Sequence, residues 1–413
     1  MTGKTVLQLG YGMQGKAALA DLVQNRSVST IIVADGSEEV MRAPEATGSA
    51  KVRPVRLDAS DRNALAALMR EADVVVELLP GPFALPTARL AAETGVSLVS
   101  AMYLANPGET DPAERERQRG EVEAIDREAR ARGIALVEEF GMDPGLDLAL
   151  GREALKRLDS VVAFHSYGAG FPEKEASDNP LQYRFTWSVI GVMRSYLRPA
   201  RYLRGGSVID VAADEMFSPR HSHILDLPEM EGPLECFPNG DAAAYARRFA
   251  IADQVKDMGR YICRWPGHGA FWSVMARSGF LSEKPVGCGD VTVAPNAFCA
   301  ALLGSQDQFF YGEGQRDVAL VRTDVRGYRD GKPCRVVGQI VDRRDLTTGF
   351  TAMQRTVGFP VSIAASMLLD GRIEGRGLLS PMDIPFGPLV EELSRRGISV
   401  SFDVTEWDGR VEP

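Results

Sequence analysis

Histidine and cysteine are scarce in this chain: four of the first and five of the second among 413 residues. The cysteines, Cys236, Cys263, Cys288, Cys299 and Cys334, are scattered, odd in number and never spaced C-x-x-C. Neither a disulfide framework nor a structural zinc site is expected, and most of the thiols read as buried and free. Basic charge is not in excess either. Forty-seven Lys and Arg face 56 Asp and Glu, giving a formal net charge of −9, which argues against a nucleic-acid-binding face with its basic stripe. No apolar run reaches the ~18 residues of a membrane helix. Met1-Thr2-Gly3-Lys4 runs straight into a strand and leaves no room for a signal peptide, so the expected compartment is the cytoplasm. What is present, 45% hydrophobic and 25% charged residues, is the composition of an ordinary globular protein of two domains, without repeats or low-complexity segments.

The first 145 residues alternate short apolar strands with helices. Strands are expected at Thr5–Leu9, Thr30–Ala34, Val52–Leu57, Asp73–Leu79, Val96–Ser100 and Ile134–Glu138. Helices are expected at Gly15–Leu22, Asn63–Glu71, Leu85–Thr94 and Glu114–Arg132, the last a solvated charged face. Buried strands alternating with helices describe an α/β fold, a doubly wound parallel sheet covered on both sides. After Pro144 the strands lengthen: Val161–Tyr167, Val208–Val211, Asp317–Tyr328 and Lys332–Asp342, with a hairpin signal at Tyr328-Arg329-Asp330-Gly331. Helices at Ala242–Phe249 and Ala270–Arg277 lie among them. The reading is a dinucleotide-binding domain over 1–145 and an α+β substrate and dimerisation domain over 146–359. Residues 360–413, with helices at Pro360–Leu369 and Phe386–Arg396 and a strand at Ile398–Phe402, are expected to pack back on the first domain.

Gly10-Tyr11-Gly12-Met13-Gln14-Gly15 is a G-x-G-x-x-G run set between a strand and a helix. Alone it could be a structural turn. Its context is that of a dinucleotide site: Gly10 allows the tight turn, Gly12 admits the pyrophosphate, Gly15 lets helix and strand approach, and the helix N-terminus faces the anion. Asp35, closing the next strand, would accept hydrogen bonds from ribose hydroxyls and repel a 2′-phosphate. The expected cofactor is NAD, with NADP the alternative.

Two further blocks carry a resemblance. Gly141-Met142-Asp143-Pro144-Gly145-Leu146-Asp147 resembles the G-L-D-P-G-x-D block of the saccharopine dehydrogenase family. Ser166-Tyr167-Gly168-Ala169-Gly170-Phe171-Pro172, Ser177-Asp178-Asn179-Pro180-Leu181 and Tyr183-Arg184-Phe185-Thr186-Trp187-Ser188 are similar to its S-Y-C-G-G-L-P and S-D-N-P-L-x-Y-K-F-S-W-S runs. Thr351-Ala352-Met353 and Thr356-Val357-Gly358-Phe359-Pro360 resemble the start of its C-terminal helix, a block shared with lysine 6-dehydrogenases. The resemblance implies a Rossmann domain, a substrate and dimerisation domain, and hydride transfer at the CH–NH group of an amino acid. It implies further cofactor contacts at Asp58, Leu79 and Ala101. It implies substrate contacts at Met102, Tyr103, Asp143, Thr186, Arg260 and Arg264, with Asp143 and Tyr103 closest to the chemistry. Two departures stand out. The family's Cys in S-Y-C-G-G is Gly168, and its carboxylate-gripping Arg in P-N-R-D is Gly240, for which Arg260 or Arg264 could compensate.

An amino-acid substrate brings an ammonium and carboxylates, so its site needs an acid and an arginine. Asp143, past the end of a parallel strand, sits where such sheets bind ligands, although an Asp before Pro also makes turns. Glu138 and Glu139 are second candidates. His165 reads as a core residue. His221 and His223 lack partners at ligand spacing, and no metal is expected. His268 is the one histidine considered as an acid/base. Trp187, Trp265 and Trp272 read as core or pocket wall. The expected activity is oxidation of saccharopine to glutamate and 2-aminoadipate semialdehyde, or the reverse, by a homodimer. The rivals are a lysine 6-dehydrogenase or related imine or opine-type reductase and, from another class, a non-catalytic NAD-sensing protein.

Overall fold

The computed structural model describes residues 3–109 and 111–409; Met1 and Thr2, from which the absence of a signal peptide was read, and the last four residues of the expected 360–413 tail lie outside them. The chain divides into two compact units, Met1–Ala149 with Gln354–Ser399, and Leu150–Met353 with Val400–Pro413.

The first unit is built on β1 (Lys4–Leu9), β2 (Val28–Asp35), β3 (Val52–Arg56), β4 (Val74–Glu77), β5 (Ser97–Ser100) and β6 (Ala135–Val137), with a seventh strand, Gly377–Leu379. Their order is Gly377–Leu379, β6, β5, β4, β1, β2, β3, and every neighbouring pair is parallel. The strand order reverses between β1 and β4. That is the switch point at whose carboxyl edge an open α/β sheet binds ligands. Val6, Leu7, Ile31, Ile32, Val75, Val76, Leu98 and Leu136 are almost wholly buried, as strands covered on both faces require. The charged helix Pro112–Arg132 buries only Ile125 and Ala129. Its other face is tied by pairs one turn apart, such as Arg117 with Glu114 and Glu121.

The second unit is a mixed sheet. Its central strand, β7 (Ser160–Pro172), lies parallel to Asp257–Arg264 and antiparallel to Asp317–Arg329. Lys332–Arg343 continues the sheet, through a two-residue hairpin in which Asp330 and Gly331 both have positive φ, 52° and 72°. This is the backbone that a primed turn demands and that an Asp-Gly pair supplies. Beyond it pairs Ser401–Glu406. On the other side lie Leu234–Pro238 and His223–Leu225.

Two expectations about the tail change. The strand expected at Ile398–Phe402 forms at Ser401–Glu406 and joins the sheet of the second unit, while the helices before it group with the first. It pairs antiparallel with the open edge of Lys332–Arg343, whose backbone groups it satisfies. The helix expected from Pro360 begins at Ala352 and holds Pro360 inside it. The cause is a distant cap: the Asp317 carboxylate accepts from the Ala352 and Met353 amides at 2.7 and 3.0 Å, satisfying donors that would otherwise be orphaned at a helix start. Among the described residues no helix is long and apolar enough to cross a membrane. No cluster of His, Cys, Asp and Glu there could hold a metal. Four cysteines are buried and Cys288 is exposed.

Candidate active site

At the carboxyl edge of β1 the glycines do three different jobs. Gly10 has φ 99°, and a Cβ there would sit 2.6 Å from the Leu78 carbonyl oxygen. A Cβ on Gly15 would sit 2.3 Å from the Gly10 oxygen. Both positions exclude any side chain for internal reasons. Gly12 is different: nothing lies within 4 Å of its Cβ position. It is the N-cap of the helix Met13–Leu22, with no side-chain cap bond, so the first-turn amides face the space that its missing side chain leaves. A helix N-terminus without a side-chain cap and clearance at the middle glycine are what a pyrophosphate needs. The residues present therefore fit a dinucleotide.

Two side chains hold this cradle. Gln8, buried in β1, donates its Nε2 to the Gly10 and Gly15 carbonyls, both at 2.9 Å. Asp35, at the end of β2, accepts from the Tyr11 amide at 2.7 Å and, through its other oxygen, from the Ser37 amide at 2.7 Å. Asp35 thus shapes the loop as well as standing beside it. The neighbouring cations are already matched with acids: Lys16 with Glu39 at 2.6 Å, and Arg56, which stands opposite Asp35 in the sheet, with Glu38. The C-terminal block buttresses the same loop. Gln354 Nε2 donates to the Met13 carbonyl at 2.8 Å, and a Cβ on Gly358 would meet the Gln14 oxygen at 2.7 Å.

The other expected positions of this unit fall along the same edge. Asp58, two residues past β3, is exposed and binds the Ser60 amide and hydroxyl, which hold its carboxyl below the usual range. Leu79 follows β4. Ala101, Met102 and Tyr103 follow β5 and are half-buried. Asp143 is half-buried in a turn closed by Gly141 N–H to the Pro144 carbonyl, 3.1 Å, with a cis Asp143–Pro144 bond. Gly145, with φ 142°, could carry no side chain there, since a Cβ would lie 1.9 Å from the Gly141 oxygen. Of the second candidates, Glu139 is buried, and Glu138 accepts from the Leu104 amide at 3.4 Å.

One further member of this edge carries no motif in the sequence. Glu77 ends β4 and is completely buried. It accepts from the Leu79 amide at 2.9 Å and from the Ser100 hydroxyl. Burial lifts its carboxyl from 4.5 to about 7. The signal available in the sequence was an acid inside the apolar run Asp73-Val74-Val75-Val76-Glu77-Leu78-Leu79.

In the second unit Thr186, Arg260 and Arg264 are all buried. Arg264 donates to the Cys263 carbonyl at 2.8 Å and lies 3.4 Å from the Tyr196 hydroxyl, its guanidinium carbon 4.9 Å from the Tyr183 ring centre. All three partners are neutral, because burial pushes both tyrosines up and keeps them protonated. Tyr196 is also 2.9 Å from Nε2 of His268. Burial first, and Arg264 second, hold His268 well below its ordinary range, which removes it as an acid at neutral pH. Arg260 stacks on Tyr245 at 4.1 Å, and its Nη1 is 4.0 Å from where a Cβ on Gly240 would be. The Ser177–Leu181 block is spent on backbone, that of its own loop and that of Gln308. Asn179 bonds the Leu181 and Tyr183 amides and the Tyr183 and Gln308 carbonyls. Arg184 binds three carbonyls and Asp178. The block fixes the segment that carries Tyr183 and Thr186.

A parallel sheet with this strand order and a bare glycine cradle at its switch point define a protein with a Rossmann-type dinucleotide domain. Residues 6–137 match the saccharopine dehydrogenase NADP binding domain, and residues 141–398 match the saccharopine dehydrogenase C-terminal domain. The chain belongs to the saccharopine dehydrogenase family. It is 26% identical, over 96% of its length and 47% of the relative's, to the mitochondrial alpha-aminoadipic semialdehyde synthase of Bos taurus, so it spans about half the length of such curated relatives. It is 24% identical to the NADP(+), L-glutamate-forming saccharopine dehydrogenase of Saccharomyces cerevisiae, over 95% of this chain and 97% of that one. Among solved structures, the fold is that of the apo yeast saccharopine dehydrogenase, with a TM-score of 0.77 at 24% identity, covering 98% of this chain and all of that one. A homospermidine synthase of Legionella pneumophila in complex with NAD has a TM-score of 0.64 at 13% identity, covering 100% of this chain and 94% of that one.

Proposed function

We propose that the chain is a NAD-preferring dehydrogenase acting on the CH–NH group of an amino acid of the saccharopine kind. Oxidation of the C–N bond and hydrolysis by water would give glutamate and 2-aminoadipate semialdehyde; the reverse is a reductive condensation. The nicotinamide, when bound, supplies the acceptor for the hydride. Gly10, Tyr11, Gly12, Met13, Gln14 and Gly15 would hold its pyrophosphate, Asp35 its ribose, and Asp58, Leu79 and Ala101 the rest of the cofactor. Asp143 would hold the substrate nitrogen and take its proton, with Tyr103 and Met102 beside it. Acid-paired Lys16 and Arg56 and the acids Glu38 and Glu39 around Asp35 support NAD over NADP.

The observation that carries the amino-acid part is Arg264. A buried guanidinium with only neutral partners is costly, several kcal/mol in general, and a substrate carboxylate offsets that cost. Arg260, beside Gly240, would take the place of the family arginine. Thr186 is buried in the same unit as Arg260 and Arg264. The homodimer is proposed from the apolar side chains Phe271, Val274, Phe280, Phe298 and Leu302, all exposed in the second unit. The cytoplasm is proposed as the compartment from the scatter and odd number of the cysteines in the sequence. The loss of the family arginine at Gly240 favours a second reading, a lysine 6-dehydrogenase with one carboxylate fewer to bind. A panel of saccharopine and lysine with NAD and NADP separates the two. Saccharopine with NAD should turn over fastest; turnover of lysine alone would establish the second reading, and tight NAD binding with no turnover would leave a sensor.

A further inference from the structure

Glu77 touches neither the cradle nor Asp143, yet it joins the loops on which the proposed chemistry would rest. One oxygen takes the Leu79 amide at 2.9 Å. The other takes the Ser100 hydroxyl, and the Ser100 oxygen in turn accepts the Met102 amide at 3.0 Å. From there two backbone bonds lead onward: Phe140 N–H to the Ser100 carbonyl, 2.9 Å, and Glu139 N–H to the Met102 carbonyl, 3.1 Å. Glu139 has φ 57°, a conformation that a non-glycine residue keeps only where its surroundings dictate it. Gly141 follows, its Cβ position 3.6 Å from the Ala101 side chain, and opens the turn of Asp143. The loop after β4, the loop after β5 and the Asp143 turn therefore share one hydrogen-bonded network with the Glu77–Ser100 pair at its centre.

An apolar residue at 77 would suit the strand better. Burying a carboxylate without a cationic partner is unfavourable, and the other three residues of β4 are valines. Burial holds this carboxyl up at about 7, and such perturbed groups gather at functional sites. We propose that Glu77 is a positioning residue which, with Ser100, fixes the loops after β4 and β5 relative to the Asp143 turn. The proposal rests on the reading that these loops receive the nicotinamide and substrate.

Its test uses the full chain with Glu77→Ala, Ser100→Ala, the double variant and Glu77→Gln. Affinity for NAD, which the cradle and Asp35 dominate, should stay within threefold throughout. Turnover should fall at least thirtyfold in either single alanine variant and no further in the double, because both remove one linkage. Glu77→Gln, which keeps the shape and an acceptor for Leu79, should recover to within threefold of wild type. Amide hydrogen exchange is the second readout. In both alanine variants it should accelerate together at 78–83, 101–105 and 138–143. Unchanged turnover in the single variants, additive losses, or faster exchange in one loop alone would overturn the proposal. If the wild type turns over no amino acid, the functional reading fails by itself. Exchange then decides the linkage alone, and Ser100→Ala serves if Glu77→Ala does not fold.

Discussion

The buried Glu77 makes a stability prediction that needs no substrate. Its carboxyl is raised from 4.5 to about 7, with burial the dominant cause, while the Leu79 amide and Ser100 hydroxyl pull the other way. The folded state therefore holds this proton more tightly than the unfolded chain does. Stability from this group is fully present below pH 4.5, declines as pH rises toward 7, and is lost above it. At ~1.4 kcal/mol per tenfold in proton affinity, the interval from 4.5 to about 7 corresponds to about 3 kcal/mol. Glu77→Gln removes the titration and keeps the shape. The stability of Glu77→Gln relative to wild type should climb by about 3 kcal/mol between pH 4.5 and pH 8, because taking the difference cancels other titrating groups. Denaturant unfolding of both proteins at half-unit pH steps measures it. The segment reporting on the first unit should be followed by a local probe, since two units need not unfold together. A difference that stays flat across the range would refute a carboxylate buried without a cation beside it.

Other outcomes follow from the geometry. Gly12→Ala should weaken NAD binding at least tenfold with an unchanged melting temperature, whereas Gly15→Ala should lower the melting temperature itself, because only the second Cβ meets protein atoms; calorimetric titration and thermal unfolding separate the two. Asp35→Ser should cut the NAD-to-NADP preference at least tenfold in kcat/KM, and an unchanged ratio would remove Asp35 from selectivity. Arg264→Met should be as stable as wild type or more so, since a buried charge is gone, while KM for the amino acid rises a hundredfold and KM for NAD does not. Asp143→Asn should lose well over tenfold in turnover with NAD affinity retained, read by steady-state kinetics and direct titration.

The first sheet was legible because its strands are apolar on both faces and its turns are glycine-marked, so local composition and three-dimensional burial agree. The Asp330-Gly331 hairpin was legible for the same reason: the turn chemistry is contained in two adjacent residues. What the sequence hid was long-range. The helix at Ala352 is capped from Asp317, 35 residues away, so the local apolar run marks only the part from Pro360 on. The last strand found its partner in Lys332–Arg343 rather than beside its neighbours in the chain. Asp35 was recognisable as an acid closing a strand, but its grip on the Tyr11 amide depends on a loop 24 residues earlier. Glu77 was invisible as a hub because Ser100, which makes it one, belongs to another strand. The Ser177–Leu181 block is conspicuous as a motif, yet its Asn179 binds backbone of its own loop and of Gln308, a distinction that requires coordinates.

The most direct measurement is a product balance. Purified chain is incubated with saccharopine and NAD, and NADH, glutamate and semialdehyde are quantified together. One of each is expected for every saccharopine consumed, with a kcat/KM for NAD at least tenfold above that for NADP. NADH formed without glutamate, or faster turnover with NADP, would contradict the proposed function.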